Sequence, residues 1–151
     1  MNRIYANTDV GKKNILLGFA LFLILGVVVG IPLTVNFMGG AMLAVDRYQA
    51  WKVLHGYGVF LAFINFFFGY CIDPMPLTRV QKEYASWAFL IAGLLGGIGR
   101  LVIALIPALG GYGVYINLLE TAGFVLGTLV FLRALTKKDP ARQFEQAAPA
   151  I

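Results

Sequence analysis

The chain has 151 residues, of which 60% are apolar and 13% charged, where an ordinary soluble domain runs at roughly 45–50% and about 25%. Apolar runs of twenty or more residues would, in water, need a core larger than a chain of this length can build, so most soluble folds are excluded and the bilayer becomes the solvent. The single cysteine, Cys71, excludes an intrachain disulfide and any Cys/His cluster of metal-finger spacing.

Four apolar segments follow in chain order, at residues 15–37, 50–72, 87–109 and 112–135. Each is near the twenty residues needed to cross about 30 Å of hydrocarbon. They predict an all-α fold: a polytopic membrane protein, one four-transmembrane-helix bundle over 1–151, with residues 136–151 as a flexible tail. The first segment follows a basic leader but is too long for a signal peptide, so it reads as a retained span. Strand alternation and solenoid repeats are missing. So are nucleotide-binding and nucleophile-elbow motifs and the inverted repeat of a secondary transporter.

The net charge of +5 marks topology. Arg3, Lys12, Lys13, Arg79, Lys82, Arg133, Lys137, Lys138 and Arg142 fall on one side of the four segments, against Arg47 and Lys52 at the first loop. Basic residues are retained on the cytoplasmic side, so both termini are expected there, in a bacterial inner membrane, with no nucleic-acid partner. Trp51 and Trp87 at span ends suit the interface. In the first span Gly26 and Gly30 form a small-xxx-small pair that predicts close helix packing, within or between subunits.

Three ionisable side chains lie where hydrocarbon penalises them: His55, Arg100 and Glu120. Arg100 precedes and Glu120 follows the Gly110–Gly111 turn at similar depth, so the two are expected to pair. Each shares a helical face with small residues, Glu120 with Gly113, Asn117, Gly123 and Gly127, and such faces pack against helices. The pair reads either as a register-fixing ion pair or as part of a site. His55 lies in the same outer half, so His55, Arg100, Asn117 and Glu120 are candidates to line one site. One histidine cannot make a zinc site. It can be the single axial ligand of a haem, or an interfacial side chain bonded to a backbone carbonyl. Asn65, turned about 80° from the histidine's face at about 100° per residue, is expected to bond between helices.

The run Trp51-Lys52-Val53-Leu54-His55-Gly56-Tyr57-Gly58, opening the second of four spans, resembles the styrene oxide isomerases and the related hydroxylaminobenzene mutases, small four-helix membrane enzymes. In that family the histidine ligates a b-type haem at the subunit interface of a trimer, and ferric iron acts as a Lewis acid on an epoxide. The resemblance implies His55 as iron ligand, with Trp51 and Tyr57 beside the cofactor, in a homotrimer acting on a small apolar substrate drawn from the bilayer. The family's asparagine falls here at Leu61, its tyrosine near Arg100 and its aspartate near Ala92. Arg100 would then serve a developing oxyanion or a haem propionate, Glu120 would orient Arg100, and Asn117 would supply a hydrogen bond. The alternatives are a non-enzymatic four-helix membrane subunit with a structural Arg100–Glu120 pair, or a b-type membrane cytochrome with Met42 or a neighbouring subunit as second ligand.

Overall fold

The computed structural model describes residues 10–38 and 45–136; the 137–151 tail and Met42 lie outside them. The described residues are helical, without strands, and include four helices long and apolar enough to cross a membrane: Lys12–Val35, Arg47–Ile72, Arg79–Leu105 and Pro107–Thr136.

Helix ends follow local chemistry rather than the limits of the apolar runs. The third helix starts well before its apolar stretch because Thr78 and Gln81 form a reciprocal capping box, each side chain bonding the other's backbone N–H. It stops at Leu105 because Ile106 leaves helical geometry (φ −123°, ψ 82°) ahead of Pro107. A tight 3₁₀ stretch, Pro107–Tyr112, then turns the chain into the fourth helix. At the opposite end the Asp73 carboxylate accepts from the backbone N–H groups of Val10 and Gly11, at 3.2 Å each, and so caps the first helix. Lys13 pairs with Glu83 and lies 4.5 Å above the Trp87 ring, joining the same rim to the third helix.

Two helices contain π-helical stretches, Phe22–Val28 in the first and Leu94–Gly99 in the third. The Val29 N–H reaches back five residues to the Ile24 carbonyl. Glycine sets how closely the helices approach. A Cβ on Gly18 would come within 2.8 Å of the Ala62 carbonyl oxygen, and one on Gly123 within 2.8 Å of that of Ala88. The first helix is thus seated on the second and the fourth on the third, as small residues permit in membranes.

Between these contacts lie two apolar clusters. One gathers Leu21, Leu25, Val29, Leu54, Leu61 and Ala62; the other is built on Phe68, Ile72, Ala85 and Phe89, with the Phe68 and Phe89 rings stacked at 4.1 Å. Three fully buried polar side chains cross-link three helices. Asn14 donates to Asn65 Oδ1 (3.2 Å) and to the Ser86 carbonyl (3.0 Å), while the Ser86 hydroxyl donates back to Asn14 Oδ1. Asn65 thus makes the interhelical bond its position suggested.

Candidate functional site

His55 turns its ring toward the first helix. Its Nδ1 lies 2.8 Å from the Leu25 carbonyl oxygen, within the π-helical stretch. A carbonyl only accepts, so the hydrogen is on Nδ1, and in the neutral ring the lone pair is on Nε2. Nε2 has no hydrogen-bond partner among the described residues. The ring lies against Gly30, where a Cβ would come within 2.6 Å of Cε1; on the following residue, Gly56, a Cβ would meet nothing within 4 Å. Gly30 therefore makes room for the imidazole, and the Gly26–Gly30 pair serves packing within the subunit.

A cavity of about 220 Å³ opens beside the ring, lined by Gly30, Leu33, Thr34, Tyr48, Lys52 and His55. A second, apolar cavity of about 490 Å³ shares Leu33 and is bounded by Val28, Val29, Pro32, Trp51, Leu101 and Leu105. Trp51 and His55, one turn apart on one helical face, are thus placed on one side of the second helix.

Tyr57 is not. Two residues beyond His55, it is turned by about 200° at about 100° per residue, and its hydroxyl donates to Glu120 Oε1. The expected position beside a cofactor on His55 gives way to a second cluster on the opposite side. Arg100 donates from one terminal nitrogen to Glu120 Oε2 (2.9 Å) and Asn117 Oδ1 (2.8 Å), and its guanidinium stacks 4.3 Å from the Tyr57 ring. Glu120 is 2% exposed, and a Cβ on Gly96 would sit 2.3 Å from its Oε1. The glycine-rich π-helical stretch before Arg100 thereby makes room for this carboxylate. Arg100 Nε is buried without a partner.

Arg100, Asn117 and Glu120 therefore meet each other as expected, while His55 faces away from them. The sequence showed the pairing through matched depth in a hairpin. It did not show Tyr57 as the fourth member; the two-residue offset from His55 places Tyr57 on the opposite face but does not name its partner. Leu61 is fully buried in the apolar core, and Ala92 packs where a Cβ on Gly123 would reach it.

No group of three or more His, Cys, Asp or Glu side chains among the described residues could hold a bare metal ion. The donor set does fit a prosthetic group that needs one protein ligand. A ligating histidine commonly donates its other ring N–H to a backbone carbonyl, which fixes tautomer and ring plane, and His55 has that arrangement. No protein-family model matches the chain, and no curated protein or solved structure shows significant similarity to it.

Proposed function

We propose that this chain is an integral membrane protein with both termini in the cytoplasm, that it binds haem b through His55, and that it works as a haem-dependent isomerase converting an epoxide of a small apolar substrate to a carbonyl compound. The observation that supports this reading best is the His55 ring held by the Leu25 carbonyl with Nε2 unengaged beside a cavity. Haem, if bound there, would supply ferric iron as a Lewis acid.

The other tasks belong to the chain. His55 would hold the iron, and the Leu25 carbonyl behind it would raise its basicity as a ligand. The groove bounded by Trp51, Leu33 and Leu101 receives an apolar molecule from the bilayer and keeps water from it. Arg100, Glu120 and Asn117 act in this reading as positioning residues. They clamp Tyr57 on the far face of the second helix and so fix the rotation that aims His55 at the first. Association as a homotrimer, which the family resemblance implies, would cover the open side at Gly56.

The deciding experiment is an absorption spectrum of protein purified in mild detergent from cells given a haem precursor, with His55→Ala alongside. A strong Soret band that disappears in the variant supports haem on His55; epoxide and hydroxylamine substrates are then assayed for redox-neutral isomerisation. A folded, colourless protein from several hosts overturns the reading. One observation favours a second reading, a non-enzymatic membrane subunit: Arg100 and Glu120 close on each other and on Tyr57 and Asn117, as a structural pair would. That protein is colourless and assembles normally as His55→Ala but not as Arg100→Leu. A b-type cytochrome would instead show a six-coordinate, low-spin spectrum on reduction.

A further inference from the structure

Lys52 is the cation of the His55 cavity. It lies three residues before His55, nearly one helical turn, and both side chains line the same space with Tyr48 and Thr34. Among the described residues it has no hydrogen-bond or ion-pair partner. No acidic side chain among the described residues lines the cavity. The Thr34 hydroxyl donates to the Gly30 carbonyl (3.0 Å), which uses its proton locally. The donors left among the described residues to face the cavity are thus the Lys52 ammonium and the Tyr48 phenol. Arg100, the cation of the other cluster, is engaged by Glu120 and Asn117. The Lys52 side chain is exposed at the mouth of this cavity, and a carboxylate is a group that such a donor pair satisfies. Directly beside it, sharing Leu33, the larger cavity is almost wholly apolar. The two spaces together suit a ligand with a broad apolar body and a carboxylate at its edge.

Resting on the haem reading above, we infer that Lys52 pairs with a propionate carboxylate of haem held on His55, so that the site recognises the acid side chains of the macrocycle as well as its iron. Arg100 is thereby relieved of that role.

The test titrates the full chain, purified in detergent without haem, with ferric haem and with its dimethyl ester, whose propionates carry no charge. Soret absorbance gives both affinities, and circular dichroism checks that each variant is folded. Wild type is expected to bind the free acid about tenfold more tightly than the diester, the scale of one charge-assisted hydrogen bond. Lys52→Met is expected to lose that preference while keeping its affinity for the diester; Lys52→Arg is expected to retain it. An unchanged preference in Lys52→Met overturns the inference and leaves a lysine that only extends its stem toward the interface, with the haem reading intact. If wild type and His55→Ala give the same spectrum with both compounds, the haem reading fails and this inference fails with it.

Discussion

At the scale of single residues, two side chains of opposite charge sit in unequal surroundings. The Glu120 side chain is 3% exposed and that of Arg100 33%, so removing the arginine leaves a buried carboxylate while removing the carboxylate leaves a cation with a route outward. Arg100→Leu is therefore expected to destabilise the bundle by about 3–5 kcal/mol. Glu120→Leu should cost less, and the double variant should recover much of the loss; unfolding of reconstituted protein in a double-mutant cycle measures all three. Additive effects would show that the pair is not coupled. Gly30 offers a second test at this scale. Gly30→Val places a branched side chain where a bare Cβ already lies 2.6 Å from the imidazole, so the ring must swing from the Leu25 carbonyl. If haem is held on His55 as proposed, the expected outcome is loss of its Soret band in a protein that still folds.

Elements raise a different question, that of which signals the chain displays openly. The four helices were legible because about twenty apolar residues in a row have few other uses. Their ends were less so, because caps lie outside the apolar runs. Thr78 with Gln81 extends the third helix beyond Trp87 toward the rim at Asp73, and Thr78→Ala is expected to cost about 1 kcal/mol in the same unfolding measurement. The pairing of Arg100 with Glu120 was legible from depth. The direction of His55 was not, since apolar and small residues occur on several faces of the second helix and fix no rotation. What fixes it is Gly30 on one side and the Tyr57–Glu120 bond on the other, contacts between residues far apart in sequence. The Asn14–Asn65–Ser86 link is of the same kind. Asn65→Leu leaves Asn14 short of an acceptor and is expected to cost about 1–3 kcal/mol, whereas Phe63→Leu on the exposed face of the same helix should cost little.

For the whole molecule, polar chemistry is divided by depth. The Asp73, Lys82, Lys13 and Glu83 side chains gather at one rim, while His55, Arg100 and Glu120 lie toward the other. Of the basic residues proposed to face the cytoplasm, Lys12, Lys13, Arg79, Lys82 and Arg133 are described and belong to the first rim. Reporter fusions after Pro76 and after Gly110 are therefore expected to report opposite sides, the first cytoplasmic. The reverse result would invert the proposed orientation and put the His55 cavity in the inner half of the membrane.

The wide turn at Phe22–Val28 has a consequence for how this architecture tolerates change in chain length. A turn that reaches back five residues instead of four holds one residue more than a regular helix needs. Deleting one residue there lets the helix close to ordinary α geometry, so that everything beyond it keeps its rotation and moves along the axis by about 1.5 Å. Gly30, Leu33 and Thr34 would then still face the imidazole, whereas a deletion in the regular helix of Lys12–Leu21 would turn the residues on its two sides about 100° apart. The wide turn is thus a stretch of the first helix where the loss of one residue spares both its apolar length and the facing of the residues beyond it.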